Sequence, residues 1–127
     1  MQKLTYAGVA TVRATLLQRQ AGKCALCGRP PKTPCLDHCH TNGWIRGVLC
    51  SGCNAMLGKL ENNRGRYGLS DFGAFAAFLG GVAQYLHTHK LGPTNLLHPT
   101  YKTTDEKRLA RNEKARKTRA KSKTEAT

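Results

Sequence analysis

The chain has 127 residues, of which 39% are hydrophobic, so it allows one small domain plus appendages, with a modest core. A formal net charge of +14 indicates a polyanionic partner. No apolar run is long enough to span a membrane, and Arg13 interrupts the only early one. The sequence therefore predicts neither a membrane span nor a signal peptide, and the expected location is a reducing cytoplasm.

The positive charge is spread over the whole chain. Residues 1–101 hold eleven Lys and Arg against three acids, and residues 102–127 hold ten against four. The three acids of the first part are Asp37, Glu61 and Asp71. A carboxylate on a phosphate-binding surface is unfavourable unless a cation lies beside it, which favours Asp37 as a metal ligand.

The first predicted element is an amphipathic helix from Thr5 to Gln20. Its apolar side chains share one side and indicate packing on the core that follows; they are Val9, Val12, Leu16 and Leu17. Gly22 is the expected stop. Residues 1–22 are thus predicted to form an N-terminal helix that packs on the core.

Two Cys-x-x-Cys pairs follow, Cys24 with Cys27 and Cys50 with Cys53, separated by 22 residues. Two such pairs supply the tetrahedral set of four sulfurs that zinc prefers. Disulfides are the alternative, but nothing in the sequence indicates export. A zinc ion held by four thiolates has no open position for catalysis, so its predicted role is structural.

An Asp-His-x-His run, Asp37 to His40, lies between the two pairs. Asn42-Gly43 predicts a hairpin turn between strands Leu36–Thr41 and Trp44–Leu49. A helix from Ser51 to about Asn62 follows, with Asn54 in its first turn. A hairpin packed on that helix brings the Asp37 carboxylate and the Asn54 amide oxygen together, and such hard oxygen ligands suit Mg²⁺. Cys35, Cys39 and His40 leave two alternatives open, a second zinc site or small buried thiols.

Basic residues flank this core. Arg46 is the best predicted phosphate contact, because its planar fork matches phosphate oxygens. Lys59, Arg64 and Arg66 lie at the end of the motif helix and are further predicted nucleic-acid contacts.

A second apolar helix is predicted from Ser70-Asp71 to about His89. It has more apolar surface than one small domain can cover, so a homodimer through residues 70–89 and packing within the chain are both open interpretations. Residues 93–127 are predicted to be a connector and a basic, largely disordered tail. The tail is interpreted either as a sequence-independent DNA-binding arm or as a solvated appendage.

The motifs resemble those of the phage recombination endonuclease VII family, which belongs to the HNH, or ββα-metal, nucleases. The resemblance rests on D-H-C-H at Asp37–His40, on R-G-V-L-C-S-G-C-N at Arg46–Asn54 and on the following Leu57-Gly58, inside the four-cysteine frame. It covers roughly residues 23–62. Two positions differ from the family pattern: Cys39, where the family often has an acid, and Leu57, which is acidic in some members.

The resemblance implies a role for each motif residue. Cys24, Cys27, Cys50 and Cys53 would hold structural Zn²⁺. Asp37 and Asn54 would bind catalytic Mg²⁺ or Mn²⁺, and His38 would be the general base. His40 would either orient the phosphate or supplement the metal site. The products would carry 5′-phosphate ends, and a phage-encoded protein would act in the host cytoplasm.

The expected fold is a small α+β domain, a ββα-metal core stapled by four cysteines at residues 23–66, with flanking helices including one at 67–92. The expected function is metal-dependent cleavage of DNA, with branched DNA as one candidate substrate and phage recombination or packaging proteins as candidate partners. The alternative is a non-catalytic zinc-ribbon module that binds DNA or acts as an adaptor. That module would need the cysteines and the positive charge but not Asp37, His38 and Asn54.

Overall fold

A computed structural model describes residues 2–126. The chain divides into two compact units, which meet in sequence between Leu79 and Gly80. The first unit contains helices and one two-stranded antiparallel sheet, so the predicted small α+β class is confirmed. Its elements are a 3₁₀ turn at Tyr6–Gly8, α1 at Val9–Arg19, β1 at Pro34–His38, β2 at Ile45–Cys50, α2 at Ser51–Asn63, a second 3₁₀ turn at Arg64–Tyr67 and the start of α3, which spans Phe72–Thr88.

The N-terminal helix forms where the sequence predicts it, although its first turn is a 3₁₀ turn capped by the Thr5 side chain. After α1, Ala21 and Gly22 both have positive φ, 55° and 71°, which ends the helix and reverses the chain. α1 contacts both strands of the sheet. The apolar face predicted from the sequence therefore packs against the hairpin.

The side chain of Gln20, directly after α1, is a main connection between this helix and the sheet. Its Oε1 accepts from the Val48 N–H at 2.8 Å, and its Nε2 donates to the Val48 carbonyl, also at 2.8 Å. The same Nε2 donates to the Lys23 carbonyl at 2.8 Å. This close approach needs a glycine at position 47, because a Cβ there would lie 3.0 Å from the Gln20 Oε1.

The hairpin is shorter than predicted. The strands end at His38 and begin again at Ile45, whereas the sequence predicted strands up to Thr41 and from Trp44. The Asn42-Gly43 turn forms, with φ +78° at Gly43 and with the Asn42 Oδ1 accepting from the Trp44 N–H at 3.0 Å. The register of the two strands shifts between Asp37 and His38, and this shift ends the regular ladder. The turn therefore lies within a wider loop.

The buried core of the first unit is small. Only four apolar side chains among the described residues are buried, those of Cys24, Val48, Leu49 and Phe75, together with the carboxylate of Asp37. Large apolar side chains such as Met56, Phe72 and Phe78 remain exposed. Small domains of this kind commonly need a metal or a partner for stability.

The second unit contains the end of α3, a connector and a long helix, α4, at Thr104–Glu125. The sequence predicted a largely disordered tail here, and the structure instead contains a helix. Thr103 and Glu106 form a reciprocal capping box at its start. Ion pairs one turn apart, including Lys117–Glu113 at 2.9 Å, add support along its surface. The Lys, Arg and Ala content thus favours helix once the first turn is capped.

Within residues 2–126 no helix is both long and apolar enough to cross a membrane.

The contacts of Gln20 generate a stability prediction. Gln20→Ala should lower the free energy of unfolding of the zinc-loaded protein by about 1–3 kcal/mol, because it leaves the fully buried Val48 N–H without a partner. Gln18→Ala, a change of the same type at an exposed position of α1, is the control and should stay within about 0.5 kcal/mol. Urea denaturation followed by circular dichroism measures both. Equal stabilities of the two variants would contradict the structural role of Gln20.

Candidate active site and metal centre

The four cysteines of the two Cys-x-x-Cys pairs converge on one point. The sulfurs of Cys24, Cys27, Cys50 and Cys53 all lie within 4.8 Å of one another, and the Cys27–Cys50 pair is 3.8 Å apart. A tetrahedral zinc site with Zn–S distances of about 2.3 Å has sulfurs about 3.8 Å apart. The donor set and its spacing therefore fit a structural metal such as zinc.

The local backbone brings these sulfurs together. Gly28, at φ +71°, makes the tight turn after Cys27, and its N–H donates to the Cys24 carbonyl at 3.0 Å. The Cys50 N–H donates to the Cys24 sulfur at 3.3 Å. Since Cys50 ends β2 and Cys53 lies in the first turn of α2, the cluster joins three segments of the first unit.

The electrostatics of the cluster also favour a bound cation. Burial opposes ionisation of Cys24, but backbone N–H groups lower its pKa to about 6. Hydrogen bonding to Cys50, burial and hydrogen bonding to Cys27 and Cys24 raise the pKa of Cys53 to about 12. The Arg29 guanidinium hydrogen-bonds to the Cys27 sulfur and has a raised pKa for that reason. A divalent cation removes the remaining repulsion.

The Asp-His motif lies at the end of β1. Asp37 is buried, with 7% of its surface exposed, whereas His38 and His40 are exposed and their ring centroids are 4.8 Å apart. The thiol of Cys39 has a lowered pKa, caused by hydrogen bonds with the backbone of Asn42 and Thr41. Asp37 and His38 are thus consecutive on β1 but differ in exposure, since a buried carboxylate is followed by an accessible imidazole.

Arg46 bridges two carboxylates at this site. Its Nε donates to Asp37 Oδ2 at 2.7 Å, and its Nη2 donates to Asp37 Oδ1 at 3.1 Å. On its other side, Nη1 and Nη2 donate to the two carboxylate oxygens of Glu61 at 2.9 and 2.8 Å. The hydrogen bonds from Arg46 lower the pKa of Glu61, and the charges of His40 and Arg64 add to this. The predicted phosphate contact is therefore engaged by two acids.

A β-bulge in β2 allows Arg46 to pair with Asp37. Asp37 pairs with Gly47 and His38 pairs with Ile45, so Arg46 is the extra residue on β2. In a regular ladder Arg46 would pair with His38, and both would lie on the face opposite Asp37, because side chains alternate along a strand. The bulge instead directs Arg46 toward the carboxylate.

Asn54 is held in the first turn of α2, directly after Cys53. Within residues 2–126 its side chain makes no hydrogen bond, so the structure does not link it directly to Asp37. Leu57, three residues on, lines a cavity of about 200 Å³ together with Asp37 and Arg46. Glu61, seven residues on from Asn54, reaches Arg46. Residues at this spacing share one helix face, so Asn54 lies on the face of α2 that meets the hairpin.

Among the described residues, the other predicted nucleic-acid contacts form no ion pair with this network, although the charge of Arg64 helps to lower the pKa of Glu61. Lys59 and Arg66 are exposed, and the Arg64 guanidinium lies 5.2 Å from the centre of the Phe75 ring. Lys59 and Arg64 line an apolar groove that includes Phe75 and Phe78.

Glu61 is the site residue that the sequence analysis missed. Its spacing from Asn54 was an available signal, because residues seven apart on a helix share a face. The second signal was Gly47, since a glycine inside a strand often marks a bulge. The alternative second zinc site gains no support, because among the described residues only the four predicted cysteines form a cluster able to hold a metal.

The cysteine cluster generates a prediction about folding. Chelation of zinc, or Cys50→Ser, should abolish the cooperative thermal transition, because structural zinc contributes roughly 10–16 kcal/mol in comparable peptides. Cys35→Ser, at a half-exposed cysteine outside the cluster, should keep both zinc and the transition. Zinc content by atomic absorption and circular dichroism melts are the two measurements. An unchanged melt after verified zinc removal would show that the metal is dispensable.

Comparison with known protein families agrees with this geometry. The family description "Recombination endonuclease VII" matches residues 1–88 of the chain. The match contains all four clustered cysteines, Asp37 to His40 and Asn54, and it extends beyond the predicted resemblance to include α1 and α3. No curated protein matches the sequence. Since the match spans more than half of the chain, the protein belongs to the recombination endonuclease VII family.

Proposed function

We propose that the protein is a DNA endonuclease of the HNH type that depends on Mg²⁺ or Mn²⁺. Its family implies a nuclease role in recombination and DNA as the substrate. The observation that supports the finer proposal is a buried carboxylate, Asp37, followed directly on β1 by the exposed His38, on a hairpin that packs against α2. This carboxylate is paired with the Arg46 guanidinium, and a divalent cation would take the place of that guanidinium.

The donor chemistry fits a catalytic divalent cation. Asp37 and Asn54 would hold it, through a carboxylate and an amide oxygen, which are the hard ligands that Mg²⁺ prefers. The side chain of Asn54 has no competing hydrogen bond within residues 2–126. When bound there, the cation would neutralise charge that develops on the scissile phosphate and on the leaving 3′ oxygen.

The protein's own groups would perform the proton transfer. His38 is exposed at the end of β1, so a water molecule can reach its imidazole. The imidazole would take a proton from that water as the water attacks phosphorus, and the products would carry 5′-phosphate ends. The ring of His40, 4.8 Å from that of His38, would orient the phosphate or supplement the metal ligands.

Positive charge would bind the DNA backbone. Lys59, Arg64 and Arg66 lie at and beyond the end of α2, and α4 carries a further series of basic residues. Together they would neutralise phosphates without reading sequence. Arg46 joins this set only when its guanidinium leaves one of the two acids that it pairs with.

A homodimer through residues 70–89 is part of the proposal. Phe72 and Phe78 are 74% and 48% exposed on α3, and such apolar surface favours association. Two active sites in one assembly would suit cleavage of both strands at a branched DNA. Phage recombination or packaging proteins are the further proposed partners.

The test of this function is a cleavage assay with purified, zinc-loaded protein and Mg²⁺. Linear duplex, supercoiled plasmid and a four-way junction should be supplied in parallel at equal phosphate concentration. Cleavage of any of them that stops when EDTA is added supports the nuclease. Tight binding of all three without cleavage would instead favour the non-catalytic zinc-ribbon module.

The role of His38 generates a prediction about rate. His38→Ala should lower the cleavage rate by roughly 10²–10⁴-fold, the usual cost of losing a general base, while zinc content and the thermal melt stay unchanged. Asp37→Ala and Asn54→Ala should keep DNA binding and lose metal-dependent cleavage. His98→Ala, at an exposed histidine of the connector, is the matched control and should cleave normally. Cleavage by His38→Ala at the rate of this control would exclude His38 as the base.

The basic C-terminal segment generates a prediction about salt dependence. Deletion of residues 102–127 removes ten cations and four anions, a net charge of +6, and no proposed zinc or catalytic residue. The slope of log affinity against log salt should fall by about two to five units on duplex DNA, while cleavage at saturating DNA should change little. Equilibrium binding by fluorescence anisotropy at several salt concentrations measures the slope.

A full-length variant separates charge from chain length. Replacing Arg111, Lys114 and Arg119 with Gln removes three cations from α4 and should lower the slope by up to about three units. An unchanged slope in both the truncated and the substituted proteins would identify α4 as a solvated or protein-binding segment. Loss of cleavage at saturating DNA would show that α4 belongs to the catalytic unit.

A further inference from the structure

The ion-pair network of Asp37, Arg46 and Glu61 contains more hydrogen bonds than an ordinary surface salt bridge. One planar guanidinium makes four hydrogen bonds, two to each carboxylate, at 2.7 to 3.1 Å. The two acids differ in their surroundings. The side chain of Asp37 is 9% exposed, whereas that of Glu61 is 31% exposed. The guanidinium therefore lies between a buried acid and an accessible one.

The arrangement depends on two separate features of the chain. A bulge at Arg46 directs its side chain toward Asp37, although a regular ladder would place the two on opposite faces. The helix α2 presents Glu61 on the face that meets the hairpin, one turn beyond Leu57. Leu57 offers no ligand to the cavity that it shares with Asp37, so Glu61 is the acid of α2 that reaches this network.

In this geometry, Arg46 and a divalent cation would compete for the carboxylate of Asp37. Both oxygens of Asp37 already accept hydrogen bonds from Arg46. A divalent cation bound to the same carboxylate would meet the positive guanidinium at close range, and like charges at that distance repel. Metal binding at this carboxylate therefore favours release of Asp37 by Arg46. Glu61 provides a second bidentate partner that Arg46 can keep during this exchange.

We propose that Arg46 is the resident counter-ion of Asp37 in the metal-free protein, and that Glu61 is a positioning residue that retains Arg46 when Asp37 binds metal. This inference rests on the proposed function, because it takes Asp37 as a metal ligand. After the exchange, the N–H groups that faced Asp37 are available to an oxygen of the DNA phosphate, whose geometry the guanidinium fork matches. Glu61 then acts on the reaction only through Arg46.

The alternative role for Glu61 is direct coordination of the catalytic ion. The two roles differ in how the effects of substitutions combine. If Glu61 acts through Arg46, its removal has no effect on metal affinity once Arg46 is gone. If Glu61 is itself a ligand, its removal weakens metal binding in either background. A double-mutant cycle separates these cases.

The experiment measures Mn²⁺ affinity of the zinc-loaded full chain in the absence of DNA, by electron paramagnetic resonance of free Mn²⁺. Arg46→Gln removes the competing cation and should tighten Mn²⁺ binding about fivefold. Glu61→Gln leaves Arg46 with Asp37 alone and should weaken binding about fivefold. The double variant should bind Mn²⁺ as Arg46→Gln does, within about twofold. Arg19→Gln, an exposed cation on α1, controls for loss of positive charge and should leave the affinity unchanged.

Arg46→Lys is the second background, for the case in which Arg46→Gln leaves the buried Asp37 charge unpaired and unfolds. Lysine keeps the charge but lacks the planar fork, so it cannot make both bidentate contacts. Glu61→Gln should then weaken Mn²⁺ binding by less than it does with Arg46 in place, whereas a Glu61 that is itself a ligand would cause the same loss in both backgrounds. The measurement is therefore possible even if the first background fails to fold.

Two results would overturn the inference while leaving the proposed function intact. Equal weakening by Glu61→Gln in both backgrounds would identify Glu61 as a direct ligand. Unchanged affinity in Arg46→Gln would show that Arg46 does not compete for Asp37. In both cases Asp37→Asn should still abolish Mn²⁺ binding, and the proposed metal site survives. If Asp37→Asn binds Mn²⁺ as the unchanged protein does, the proposed metal site is wrong, and the inference is rejected with it.

Discussion

The first unit brings together four cysteine sulfurs that lie within 4.8 Å of one another, and their mutual repulsion must be neutralised for the cluster to be stable. These sulfurs come from the loop after α1, from the end of β2 and from the first turn of α2. Since few apolar side chains are buried, a metal held by this cluster would connect segments that the apolar core joins only weakly. It also fixes the site indirectly, because Asn54 follows Cys53 directly and Asp37 lies on the strand that pairs with β2. The cysteine cluster thus lies close in sequence and in strand pairing to both residues.

Negative charge is scarce in the first 101 residues, and each of the three acids there has a defined role in the structure. Asp37 and Glu61 both bind Arg46, and Asp71 caps the start of α3 by accepting from the Ala74 N–H at 2.9 Å. None of them is left unpaired on the basic surface, where it would repel phosphate. A positive field suited to DNA and the carboxylate proposed as a metal ligand can therefore coexist in one small unit.

Features that depend on residues close together in the sequence could be predicted, and features that depend on contacts between distant segments could not. Glycine turns and cysteine spacing predicted the metal cluster, and hydrophobic spacing predicted α1, α2 and α3 to within a few residues. The bulge at Arg46, the pairing with Glu61 and the contacts of Gln20 depend on how distant segments meet, which local patterns do not encode. The helix α4 was missed for a different reason: its composition resembles that of a disordered tail, and the capping box at Thr103 was the signal overlooked.

The side chain of Gln20 also affects whether another chain can add a strand to the sheet. A two-stranded sheet has outer strand edges whose backbone groups can recruit a strand from another chain and so begin aggregation. On β2, the Gln20 amide occupies the Val48 N–H and carbonyl in the way that a third strand would, and the Ala25 N–H donates to the same carbonyl at 3.1 Å. A foreign strand would have to displace both. The Gln20 amide thereby covers this part of the β2 edge against strand addition.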